Sequence, residues 1–233
     1  MIRGFYSSAS GLVSQQSNMN IIANNMANTS TTGFKAQKAN FSALLYENIN
    51  GGDGNLIQGG HGTKVQSAAI DFSQGELQKT DMPMDCAIIG EGFFSAKSKQ
   101  DGTNLYTRDG KFQVSVEGTE TYLVNSKGDY ILDEKSEKIS LKDGFDVSKV
   151  GLYSFGNKYA LIPVGGSQYK ATETAGAATA LKGGTVKVGY LENSGVAVSE
   201  EMVRMIEASK GFSFNAKLIQ AADEMEKTIN QLR

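Results

Sequence analysis

The stretch IANNMANTSTTGFK, residues 22–35, places Asn24, Asn25, Asn28 and four Thr or Ser residues directly behind a run of apolar positions. Asparagine and threonine side chains cap helix ends and bond their own backbone, and Asn tolerates left-handed conformations. The stretch therefore predicts the end of a helix and a re-aimed chain beyond it. Asn24 and Asn25 fall near the helix end, Asn28 to Thr32 turn the chain, Gly33 supplies backbone freedom and Phe34 anchors the next segment.

Upstream, Ile2, Phe5, Ala9, Leu12, Gln16, Met19, Ala23 and Met26 recur at alternating steps of three and four, a heptad seam. Gln16 is its polar member, expected to fix register. Gly4 and Gly11 each weaken the helix by ~1 kcal/mol relative to Ala. A second seam closes the chain: Val198, Met202, Met205, Ser209, Phe212, Ala216 and Ile219, continued by Ala222, Met225, Ile229 and Leu232. Its steps slip near Ile219, so the stripe drifts around the helix. Ser194 and Ser199 are the N-cap candidates, and Glu200 and Glu201 suit the positive end of the helix dipole. The first 45 residues hold Arg3, Lys35 and Lys38 and no acid, whereas residues 191–233 hold seven acids against five bases. These opposite signs favour pairing of the two ends, within one copy or between copies.

Between the seams the chain reads as strands and tight turns. Phe112, Val114 and Val116 alternate with Lys111, Gln113 and Ser115, the period of a half-buried strand. Asp109-Gly110 and Lys127-Gly128 stand where hairpin turns are expected. Further strands are expected at 84–89, 92–97, 121–125, 129–132, 150–155 and 185–191. Residues 50–62 and 165–184 read as flexible loops. Phe93, Phe94, Tyr106 and Phe112 are expected in the core of this region. Arg108 and Asp109 either pair across a hairpin or contact a neighbour, and the pattern does not choose.

With 233 residues and a formal net charge of -2, the chain lacks the basic excess of a diffuse nucleic-acid binder. The sole histidine, His61, lies in one of the expected loops and leaves no zinc ligand set or triad. Cys86 sits in an apolar run and reads as a buried filler. Gly90-Glu-Gly92 lacks the third glycine of a dinucleotide fingerprint, and Gly51–Asn55 carries a single copy of a calcium-type repeat that needs tandem copies. No catalytic, cofactor or metal residues are assigned, no small-molecule substrate is expected, and no continuous apolar segment marks a cleaved secretory signal.

The motifs themselves resemble a known family. Ala9, Gly11, Leu12 and Gln15, then IANNMAN and TTGFK, are similar to the N-terminal signature of the bacterial flagellar rod and hook proteins. GELQKTDMPMDCAIIGEGFF at 75–94, YTRDGKF at 106–112 and the segment from Gly189 to Met225 are similar to further blocks of that family. Ser194-Gly195 and Lys210-Gly211-Phe212 depart from its pattern, and Gly211 is expected to loosen the last helix.

The resemblance implies an α+β subunit whose N- and C-terminal helices form a coiled-coil-like assembly layer around a β-rich middle. On this reading residues 1–40 hold the first assembly helix and turn, 41–190 the middle domain and 191–233 the second helix. The implied assembly residues are Ile2, Phe5, Ala9, Leu12, Gln16, Met19, Asn24, Asn25, Met26, Asn28, Gly33 and Phe34. At the other end they are Val198, Met202, Met205, Phe212, Ile219, Met225, Ile229 and Leu232. The implied role is structural: a homo-oligomeric helical tube in the basal body, outside the cytoplasmic membrane. It carries torque from motor to hook, surrounds the export channel, meets other rod and hook proteins, and is reached through the flagellar export apparatus without a cleaved signal. Within the family the chain is most similar to a distal rod subunit, with a proximal rod subunit as the alternative. From a different class, the competing reading is a monomeric binding or export-adaptor module that pairs its own two ends.

Overall fold

A helix of 26 residues, α1 (Ile2–Ala27), opens the chain, and one of 34 residues, α2 (Val198–Gln231), closes it. The computed structural model describes residues 2–50, 56–99, 101–118, 120–141, 144–181 and 184–232. By its contacts the chain forms two compact units. One takes Met1–Ala27, Gln37–Ile70 and Ala197–Arg233, and the other takes Asn28–Ala36 and Asp71–Val196. The architecture is α+β, as expected, with a helix at each end and a β-rich middle.

In the first unit α1 and α2 run antiparallel: Gly11 lies against Asn215 and Gly211 against Gln15. Glu200 and Glu201 lie in the first turn of α2, as expected from the helix dipole, but the expected serine cap is absent. α1 has no acid in its first turn and no base in its last. α2 begins after Ala197, which gives no side-chain cap bond, so neither Ser194 nor Ser199 is the cap. Gly211 does not break α2, because the place of its missing side chain is filled by the Gln15 amide.

Beside the helices runs an antiparallel ribbon, Gln37–Ala43 against Thr63–Ile70 with a bulge at Asn40/Phe41, then Tyr46–Asn50 against Leu56–Gly60. The loop expected at 50–62 is therefore largely ribbon, and its Gly51–Asn55 motif lies outside the described residues. The outer part of the ribbon escaped notice because its strands are almost wholly exposed and have no inside–outside alternation to read. His61 is held there by Leu45 O, 3.0 Å from Nδ1.

The second unit is built on an antiparallel sheet. Its strands run in the spatial order Ile162–Gly165, Gln168–Lys170, Asn104–Thr107, Phe93–Lys97, Tyr130–Ile131, Glu120–Val124 and Gln113–Glu117. Leu152–Ser154 also pairs with Phe93–Lys97, and Cys86–Ile89 pairs separately with Thr185–Val188. Cys86, Ile88, Phe94, Phe112, Leu123 and Ile131 form the centre of the core. Phe93, Phe94, Tyr106 and Phe112 are all buried, as expected. Residues 165–184 also carry short strands at Gln168–Lys170 and Thr179–Ala180.

Two local expectations fail here. Val114 and Val116 are exposed, because Gln113–Glu117 is an edge strand that runs out beyond the core. Asp109-Gly110 is not a hairpin turn, since the strands flanking it pair with other partners. Lys127-Gly128 does lie in a hairpin, with Gly128 N–H donating to Asn125 O at 3.0 Å. Gly110 instead sits against Cys86, whose N–H donates to Gly110 O at 3.0 Å. A side chain on Gly110 would meet Cys86 O at 1.6 Å.

Gly110→Ala is therefore expected to cost about 3 kcal/mol or more by urea unfolding, within the range of core overpacking and broken backbone pairing. Burial pushes the Cys86 thiol up to about 12. The folded protein should leave Cys86 unalkylated near neutral pH and expose it to iodoacetamide only in denaturant.

Candidate assembly surface

α1 packs mainly through small and polar residues, with Ile22 as its one fully buried large apolar side chain among the described residues. Ser8, Gly11, Ser14, Ile22 and Asn25 are buried. Four of them, Ser8, Gly11, Ile22 and Asn25, each stand one position before a member of the apolar seam: Ala9, Leu12, Ala23 and Met26. Gly11 lets α2 approach closely, with Asn215 Nδ2 3.0 Å from where a Cβ would stand. Gly211 gives the reciprocal contact, with Gln15 Nε2 at 3.2 Å.

The seam is only partly covered within the chain. Phe5 is 41% exposed, Gln16 and Ala23 are exposed, and Ala9, Leu12, Met19 and Met26 are half-buried. Gln16 does not set the register of the pair, since it points outward and donates to Asn20 Oδ1 at 3.2 Å. On α2 the seam divides. Met205, Phe212 and Ile219 are half-buried, while Val198, Met202, Met225, Ile229 and Leu232 are exposed. The side chain of Ile2 lies outside the described residues.

Behind the seam, Asn25 is a clip within the chain. Its Nδ2 donates to Gln37 O at 2.7 Å, and Gln37 N–H donates back to its Oδ1 at 3.0 Å. At 1% exposure it faces inward, so it shapes the surface without being part of it. Asn24, on the same turn, is exposed. Ser14 and Ser10 fasten the ribbon through Thr63: Ser14 Oγ donates to Thr63 O at 3.0 Å, and Thr63 N–H donates to Ser10 Oγ at 3.3 Å.

The second unit receives the rest of the opening motif. Asn28 O accepts Thr31 N–H at 3.2 Å, which makes the expected turn, and Phe34 is half-buried. Gly33, at φ +64, is pressed onto the backbone of Arg108 and Asp109, 2.6 Å from both where a Cβ would be. Gly33 is thus buried within the chain. Lys35 Nζ lies 2.5 Å from Glu192 Oε1 and 2.6 Å from Ser73 O. Arg108 Nη1 reaches Glu192 Oε2 at 3.3 Å, Nη2 donates to Gly90 O at 3.0 Å, and the guanidinium covers the Phe93 ring. Burial holds the Lys35 amine below its ordinary pKa, against the opposing pull of the Glu192 charge. Asp109 accepts from Thr32 Oγ1 at 2.7 Å and from Lys111 N–H at 3.1 Å. Arg108 and Asp109 therefore neither pair with each other across a hairpin nor face outward. Lys35 and Glu192 were missed as partners because 157 residues separate them and no local pattern marks a long-range ion pair.

Among the described residues no cluster of metal-ligating side chains occurs, and no helix is long and apolar enough to cross a membrane. Three family models match the chain. "Flagella basal body rod protein" covers residues 5–35, "Flagellar hook protein FlgE/F/G D1 domain" 87–156, and "Flagellar basal body rod FlgEFG protein C-terminal" 187–232. The flagellar basal-body rod protein FlgG of Borreliella burgdorferi is 34% identical over 271 aligned positions, covering 100% of this chain and 99% of the relative. The chain belongs to the flagellar basal-body rod protein family. The FlgG of Bacillus subtilis is 31% identical and aligns over the full length of both chains. The hook protein FlgE of Helicobacter mustelae is 34% identical but covers 63% of this chain and 35% of its own length. This is a family of structural flagellar proteins, not of enzymes. Its N-terminal model spans α1 through Lys35, so it joins the seam, the Asn25 clip and the buried lysine in one block.

Asn25→Ala should destabilise the helical unit by about 2–3 kcal/mol, because two buried hydrogen bonds are lost and the Gln37 backbone groups are left unpaired. Asn25→Asp should not rescue it, since a carboxylate cannot donate to Gln37 O. Urea unfolding monitored by circular dichroism checks both.

Proposed function

We propose that this chain is a distal rod subunit that polymerises with its own copies into a helical tube, carrying torque from motor to hook around the export channel. One observation carries the reading. α1 packs within the chain mainly through small and polar residues with Ile22, and the apolar seam one residue along stays only partly covered, leaving its exposed area for other subunits. Phe5, Leu12, Met19 and Met26, with Met202, Met225, Ile229 and Leu232 on α2, form that surface. The bare two-faced ribbon, with Leu45, Tyr46, Leu56 and Ile57 exposed, adds to it. The distal placement rests on the Gly-x-Gly-Phe-Phe and Tyr-Thr-Arg-Asp-Gly blocks and the full-length alignment to rod proteins named FlgG. The subunit reaches the growing structure, where it meets other rod and hook proteins, through the flagellar export apparatus.

A second reading has one observation in its favour: the two helices do pair within a single copy, as a monomeric binding or adaptor module would have them. The polar character of that pairing favours the rod, because a self-contained module would bury its most apolar stripe, not the adjacent one.

The double variant Leu12→Glu/Met19→Glu separates the two. It should fold like the parent, since both side chains are only half-buried. In a strain lacking the native gene it should abolish swimming and be missing from purified basal bodies. Normal swimming with the variant, together with a parent protein that stays monomeric at every concentration in sedimentation velocity, would establish the module instead.

A further inference from the structure

The chain enters the β-rich unit from α1 through residues 28–36 and leaves it for α2 through residues 192–196, and inside the unit these two segments are tied to each other. Gly33 N–H donates to Glu192 O at 2.8 Å, and Gly195 N–H donates to Phe34 O at 2.9 Å. The outgoing segment is also held by the pairing of Tyr190–Glu192 with Leu77–Lys79 and by Asn193 N–H donating to Glu76 O at 2.8 Å, but only the two backbone bonds above set its register against the incoming segment. Between them lie the side chains of Lys35, Glu192 and Arg108, each no more than 3% exposed.

We propose that this Lys35–Glu192–Arg108 network is a joint that locks the incoming and outgoing segments in one register, and that it serves stiffness more than stability. Buried ion groups are often no more stabilising than apolar side chains of similar volume, because their desolvation offsets the attraction. What they add is direction. Oε1 of Glu192 takes Lys35 and the Gly75 N–H, the latter at 2.8 Å, while Oε2 takes Arg108. Any slip of one segment along the other would leave a buried charge without its partner. An apolar filling would tolerate such a slip. Gly33, pressed onto the Arg108–Asp109 backbone, and Thr32, bonded to Asp109, brace the joint from its far side. The purpose of the joint rests on the rod reading. Torque passed from α1 and α2 along these two segments enters the β-rich unit here, and a joint that slipped would make the subunit compliant.

Amide hydrogen exchange on the full-length monomer tests it. Lys35→Met/Arg108→Met/Glu192→Met keeps volume and removes charge. It should lower the thermal midpoint only modestly, since Ser73 O, Gly75 N–H and Gly90 O lose their side-chain partners, while the Gly33 and Gly195 amides exchange about tenfold faster or more. The amides of Leu123 and Leu132, bonded within the sheet region, should keep their parental rates. Glu192→Gln, which preserves shape, should show the same local acceleration in a folded chain. Parental rates at Gly33 and Gly195 in both variants would overturn the joint. So would equal acceleration of all four amides, because the network would then be serving overall stability. Incorporation of the Leu12/Met19 variant into basal bodies decides the rod reading separately, so either idea can fail alone.

Discussion

The carboxylate of Glu192 is shared by a lysine, an arginine and a backbone amide, all withdrawn from water. Removing an ion from water costs several kcal/mol, so such a group persists only where every charge around it is answered. That requirement reaches far along the chain. It places Lys35 beside Ser73, orients Arg108 across Phe93 toward Gly90, and sets Gly33 where no side chain fits. The opening motif, the Tyr-Thr-Arg-Asp-Gly block and the Glu192 segment are separate in sequence, yet all three meet at this anion. The aromatic cluster of Phe72, Phe93, Phe155 and Tyr169 stacks beside it edge to face, giving the ions an apolar wall.

The helical unit is held together in the opposite way. Serine, glycine and asparagine bury little apolar area, so their packing gains far less than the roughly 1.5–3 kcal/mol of a buried large aliphatic or aromatic side chain. The helix pair is specified by fit at Gly11 and Gly211, and the Asn25 clip ties α1 to the ribbon. The larger hydrophobic gain is still available on the outer seam. The proposed rod assembly would draw on this uncovered apolar area.

Much of this was legible in the residues. The Asn-rich stop after α1, the terminal helices and the core phenylalanines could be read from local spacing and side-chain chemistry, and the structure keeps them. What spacing could not show was which stripe of α1 turns inward. An apolar seam and a small polar stripe one residue apart have the same period, and hydrophobicity alone selects the wrong one for packing within the chain. Val114 and Val116 misled for a related reason: alternation marks a strand but not whether that strand is central or at an edge. Arg108 and Asp109 stayed ambiguous because their partners, Glu192 and Thr32, are distant in sequence. Long-range pairing between charges leaves no periodic trace.

The two glycine contacts share a pattern: Gly11 precedes Gln15 by one helical turn, and Gly211 precedes Asn215 by the same step. Run antiparallel, each glycine receives the amide of the other helix, so the contact is related to itself by a local two-fold axis. A recognition element of that kind carries no mark of chain identity. Both helices meet the same geometric demand, a glycine one turn before a carboxamide, so a larger side chain at either glycine would push the pair apart from nearly the same distance.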